Sequence, residues 1–155
     1  MEKKKILFVC LGNICRSPAA EAIFLTLTKK KNIDVEVDSA GTSAWHSGER
    51  ADARMRKHAA ERGYQITGIS RGFDAASDFD RFDMIIAMDD NNYYDLKEMA
   101  RTTEDESKIY RMGDYLVNTG FDHVPDPYYG GSDGFDLVID LLEKGSRALI
   151  KQLNQ

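Results

Sequence analysis

Five consecutive apolar residues, Ile6 to Cys10, run straight into Leu11-Gly12-Asn13-Ile14-Cys15-Arg16 and then Ser17-Pro18, and this junction constrains the fold more than any other stretch of the chain. An apolar run this short, bounded by lysines on one side and Gly12 on the other, reads as a strand buried on both faces, as central strands of parallel sheets are. Ser17 offers an N-cap and Pro18 a first helical residue, and Ala19, Ala20, Ala22, Ile23 and Leu27 supply an apolar helical face ending near Lys31. The chain therefore opens as strand, loop, helix.

The unit repeats. Val35 and Val37 alternate with acidic neighbours toward Ser39-Ala40-Gly41, a second strand and turn, and Asp52 to Arg62 reads as a helix stopped by Gly63. Met84 to Met88 is a third buried strand, Asn91 to Ala100 another helix, and Lys108 to Met112 a weaker fourth strand before a long irregular stretch. Asp136 to Leu153 closes the chain as a helix with Val138, Ile139, Leu142, Leu149 and Leu153 along one face. Strands alternating with helices predict a doubly wound α/β fold, a parallel sheet covered on both faces. No repeat or linker interrupts the pattern, so residues 1–155 are expected to form one domain.

Composition narrows the function. A formal net charge of -5, with basic residues scattered outside Lys3-Lys4-Lys5 and Lys29-Lys30-Lys31, leaves no stripe to neutralise a nucleic-acid backbone. The lysines before Ile6 imitate the start of a signal peptide, but Gly12-Asn13 ends the apolar run early and no transmembrane-length stretch follows. A cytoplasmic protein without membrane or nucleic-acid partners is expected. Cys10 and Cys15, the only cysteines, are too close in sequence for a structural framework and point to reduced thiols with a chemical use.

Ligands of such sheets bind beyond the carboxyl ends of the strands, where Cys10 to Ser17 is expected. Gly12 and Asn13 take positive φ cheaply, so the loop Leu11, Gly12, Asn13, Ile14, Cys15 can turn successive backbone N–H groups inward while the following helix aims its free N–H groups at the same point. This is an anion cradle, and a thiolate at Cys10 would be stabilised by its donors and by the helix dipole. Arg16, where the loop returns, could grip two phosphate oxygens with its planar fork. Ser17 has two candidate tasks: capping the helix, and donating its hydroxyl to the Cys10 sulfur.

Cys10, five residues, then Arg16, Ser17 and Pro18, so near the amino terminus, resembles the low-molecular-weight protein tyrosine phosphatases. Ser39-Ala40-Gly41-Thr42, Ala87-Met88-Asp89, Asn92 and Asp126-Pro127-Tyr128 look like further landmarks of that family, in order along nearly the whole chain. The resemblance implies a four-stranded parallel sheet with helices on both faces, a flavodoxin-like three-layer sandwich. It implies hydrolysis of phosphotyrosine with Cys10 as nucleophile, Arg16 as clamp and Asp126 as general acid, without a metal or cofactor. It implies that Asn13 adopts a strained conformation fixed by hydrogen bonds, with Ser39 a partner, against the plainer reading of ordinary turn residues. It also implies that Cys15 traps oxidised Cys10 as a reversible disulfide. Tyr128 and Tyr129 could wall a narrow slot with Trp45 opposite, although aromatics in loops also merely cover core edges.

His46, His58 and His123 lack metal-ligand spacing and read as surface or loop histidines, and Glu104 to Glu106 reads as a solvated loop. Gly68-Ile69-Ser70-Arg71 departs from the family, where a histidine commonly precedes the arginine, so the hydrogen bonds supporting the loop must be built differently. Rival readings are a protein-arginine phosphatase, which tends to carry threonine at the place of Ile14, an arsenate reductase-like enzyme, whose relay cysteines are missing, and a phosphate-binding or phosphocarrier module. The expected partner is a phosphotyrosine protein or peptide, with a tyrosine kinase as counterpart, and the protein a monomer or weak dimer.

Overall fold

The computed structural model describes residues 3–127 and 132–154. Strands β1 (Lys4–Cys10), β2 (Val35–Gly41), β3 (Met84–Ala87) and β4 (Ile109–Arg111) form one parallel sheet in the order β2-β1-β3-β4. Helices α1 (Arg16–Lys30), α2 (Ala53–Glu61), α3 (Ala75–Arg81), α4 (Asp90–Met99), α5 (Thr103–Ser107) and α6 (Ser132–Leu153) connect and cover it, and a 3₁₀ turn, Met112–Tyr115, follows β4. The expected doubly wound, flavodoxin-like sandwich is the observed one.

Alternation along β1 divides the interior. Ile6, Phe8 and Cys10 enter a core with Ala19, Ile23 and Phe24 of α1 and Val138, Ile139 and Leu142 of α6. Leu7 and Val9 face the other way, into a core with Phe79 of α3, Ile85 of β3 and Leu96 of α4. Both sets follow from the two-residue period of a strand covered on both sides. Because β2 lies on one side of β1 and β3 on the other, the sheet changes winding direction at the carboxyl end of β1, where α/β sheets open a crevice.

The element boundaries correct the sequence reading in four places. Helix α1 begins at Arg16 with Cys15 at the N-cap and no side-chain cap, so Ser17 lies inside the first turn and does not cap it. Helix α6 begins at Ser132, a turn before the expected Asp136. Short helices α3 and α5 occupy segments without an apolar stripe, held by the caps Asp74 and Thr102, and Glu104 to Glu106 is thus helical. Strand β4 is three residues long, and Met112 already belongs to the 3₁₀ turn.

Candidate active site

The loop from Cys10 to Arg16 closes around a cavity of about 400 Å³ lined by Cys10, Leu11, Gly12, Ile14, Cys15 and Arg16, with Ser43, Trp45 and His46 on one wall and Asp126 on another. Asn13 and Ser17 sit behind this lining. Asn13 takes the left-handed conformation, φ 56°, that the loop needs to reverse, and its side chain holds it there. Its amide donates to Ser17 Oγ at 2.8 Å and to Ser39 Oγ at 3.0 Å, while its Oδ1 accepts from the Arg71 backbone N–H at 3.0 Å. Ser39 therefore is the partner expected of Asn13.

Ser17 Oγ lies 3.0 Å from Cys10 Sγ. The Asn13 amide already donates to Ser17 Oγ, so the hydroxyl proton is directed at the sulfur or at the Ala40 carbonyl, 3.4 Å away. Of the two tasks foreseen for Ser17, the contact with sulfur is the one observed.

Arg16 is buried and held from two directions: Nη1 donates to Asp89 Oδ2 at 2.6 Å and to the Val124 carbonyl at 3.0 Å. Nη2 lies 3.8 Å from Asp126 Oδ2. Burial works against the guanidinium charge, but Cys10, Asp89 and Asp126 outweigh it, and its pKa moves up. Asp89, at the end of β3, uses its other oxygen to cap α4 by accepting from Asn92 N–H at 2.8 Å. Sequence reasoning met Asp89 only as a landmark; its role as the arginine's anchor depends on β3 lying beside β1, which no local pattern reveals.

Cys15 is buried beside the nucleophile position, and burial, reinforced by Asp52 and Cys10, pushes its thiol pKa up so that it stays protonated. Both cysteines are free thiols. Trp45 is 86% exposed and lines the cavity mouth, so it does not cover a core edge. Tyr128 and Tyr129 lie outside the described residues. His46 is the surprise of the wall: its ring lies against Gly12, where an added Cβ would come within 2.9 Å of it, and Nδ1 meets Glu49 at 3.1 Å. It is a loop histidine, as the sequence reading has it, but its place on the cavity wall follows only from the fold.

A thiol, an arginine fork, a backbone loop at a helix N-terminus and a carboxylic acid around one pocket suit transfer of a phosphoryl group. The profile of the low molecular weight phosphotyrosine protein phosphatases matches residues 5–155. The chain belongs to that family. A low molecular weight protein-tyrosine-phosphatase of Streptomyces coelicolor is 39% identical, over 97% of this chain and 94% of its own. The crystal structure of a protein tyrosine phosphatase from Entamoeba histolytica superposes with a TM-score of 0.94 at 47% identity, covering 98% of this chain and 97% of that one. That of DARP, a Drosophila arginine phosphatase, gives 0.91 at 34% identity, over 97% and 98% of the two chains.

In this low molecular weight phosphatase Ser70 stands where the family commonly has a histidine, and its hydroxyl donates to the Asn13 carbonyl at 2.5 Å. Arg71 is tied to Asp38 and Asp78. The loop is thus supported by a hydroxyl and a backbone N–H. That arrangement could not be read from the departure alone.

Proposed function

We propose that the chain hydrolyses phosphotyrosine in proteins and peptides through a cysteinyl-phosphate intermediate, within one domain spanning residues 1–155. The observation that carries this reading is the convergence of Cys10, Arg16 and Asp126 on one cavity, with the Ser17 hydroxyl 3.0 Å from the sulfur. Cys10 Sγ attacks phosphorus as the bond to the aryl oxygen breaks, and Asp126 gives that oxygen its proton. Protonation helps because tyrosine is a poor leaving group, its conjugate phenol having a pKa of about 10. Asp126 then takes a proton from water as the water attacks phosphorus, and the S–P bond breaks to return the thiolate, toward which Ser17 donates. Arg16 and the N–H groups of Leu11 to Ser17 hold the equatorial oxygens throughout.

Trp45 offers an aromatic face at the mouth for a phenyl ring. Cys15 protects Cys10 by forming a disulfide with it on oxidation; if peroxide-inactivated Cys15→Ser regained activity in a thiol reductant as fully as the wild type, that role would fail. Phosphoproteins are the substrate class; a tyrosine kinase as counterpart, a cytoplasmic setting and a monomeric or weakly dimeric state complete the reading. A phosphoarginine activity is the second reading, favoured by the likeness to DARP and opposed by the aliphatic Ile14 on the cavity lining.

The deciding experiment measures phosphate release from phosphotyrosine, phosphoserine and phosphoarginine peptides. The expected result is turnover of phosphotyrosine, none with Cys10→Ser, and an Asp126→Ala defect that shrinks as the leaving group becomes more acidic. Preference for phosphoarginine would move the substrate class; phosphate binding without turnover would leave a carrier.

A further inference from the structure

On the far side of the loop from Cys10 lies a second, smaller cavity of about 50 Å³, between α1, the end of β2 and residues 65–70. It shares no lining residue with the first. Its floor is polar: Asn13, Ser39 and Ser70 are buried, and Glu21 accepts the Ser39 hydroxyl at 2.6 Å. Its rim is apolar, with Leu25 and Ile69 both exposed. Neither the phosphoryl chemistry nor the core makes use of this space.

Glu21 is half-buried, and among the described residues no cation lies within ion-pair distance of it. Arg71, the cation whose field reaches it, is already paired with Asp38 and Asp78. Burial, with only Ser39 and Arg71 to offset it, raises the carboxyl pKa. Glu21 is thus the one charged side chain on the cavity lining, and its carboxylate is answered there by the Ser39 hydroxyl rather than by a cation.

We propose that this rear cavity binds a small planar nitrogen cation of the guanidinium or imidazolium type, paired with Glu21. Size agrees: about 50 Å³ has room for roughly three to five water molecules, and guanidinium has four heavy atoms. Chemistry agrees too. A weakly hydrated planar cation can give N–H donors to the carboxylate and hydroxyls while its faces rest on Leu25 and Ile69, which a strongly hydrated ammonium or metal ion would not favour. No group of three or more metal-ligating side chains occurs among the described residues. The ligand would pair with the carboxylate that takes the Ser39 hydroxyl, and Ser39 in turn accepts from Asn13.

The test is a titration of the isotope-labelled full chain with guanidinium chloride at low millimolar concentration, followed by amide shifts. Urea, its neutral isostere, and sodium chloride at equal ionic strength are the controls. Saturable shifts at Glu21 and Gly68 to Ser70, absent with both controls, are expected. Glu21→Gln, which keeps the shape and removes the charge, should weaken binding by at least about tenfold. Gly68→Val gives a second variant: an added Cβ there meets only Glu21 Oε1, at 3.9 Å, so the larger side chain projects into the cavity and should abolish the shifts. Equal shifts from urea or sodium chloride, no saturation, or undiminished affinity in both variants would overturn the proposal. None of these outcomes bears on phosphate release at Cys10.

Discussion

Asp89 performs two tasks with two oxygens, and a conservative change separates them. One oxygen holds Arg16 at 2.6 Å and the other caps α4 at 2.8 Å. Asn caps a helix as well as Asp does, but with its one oxygen on the cap it turns an NH2 donor toward the guanidinium, and the bond to Arg16 is lost. Asp89→Asn is therefore expected to lower kcat/KM by about ten- to a hundredfold, from a charged hydrogen bond worth about 1.5–3 kcal/mol, while the thermal midpoint stays within a few degrees. Steady-state kinetics beside a melting curve checks both halves, and a loss of stability with unchanged kinetics would reverse the assignment. At this scale the residues legible in the sequence were those contiguous in the loop. Cys10, Arg16 and Ser17 share one spacing, and one turn of backbone brings them together. Asp89, Ser70 and His46 were not legible as working residues, because each comes from another segment and meets the loop only after the sheet has assembled.

Caps and close approaches set the elements, and two changes test them. Asp52 accepts from the backbone N–H groups of Arg54 and Met55 at the start of α2, and its pKa is lowered: burial opposes the charge, but hydrogen bonds from Arg54 and those N–H groups overcome it. Asp52→Ala should cost about 1 kcal/mol in denaturant unfolding at neutral pH. A depressed folded-state pKa means that this contribution is present above the unfolded value of about 3.9 and fades as pH falls through the folded value. The gap between variant and wild type should therefore close in acid; a constant gap would refute the cap. Gly113 is the second case: an added Cβ would sit 1.8 Å from the Asp122 carbonyl oxygen, backbone that cannot yield cheaply. Gly113→Ala should destabilise by more than about 2 kcal/mol, measured by chemical denaturation. The strongly periodic elements, β1 to β3, α1, α2, α4 and α6, were readable because burial imposes a pattern. Helices α3 and α5 were not, since their short helical turns bury few residues and rest on caps, Asp74 and Thr102, that resemble any turn.

At the scale of the molecule, β1 is the shared wall of two cores, so damage on either face should be felt globally. Leu7 and Phe8 are both fully buried, in different clusters. Leu7→Ala and Phe8→Ala should each cost about 2–5 kcal/mol, and single transitions monitored by both near- and far-ultraviolet circular dichroism should show each core failing together with the other. Early loss of one core alone would show that the sheet does not couple them. The layered fold was legible because alternating strands and helices leave few topologies. Arg16 adds a temporal consequence. Its second anchor is the carbonyl of Val124, 108 residues further along the chain. A nascent chain that has emerged only as far as residue 120 can offer Arg16 the Asp89 carboxylate but not the Val124 carbonyl, so the clamp is held from both directions only once the segment beyond residue 120 has followed.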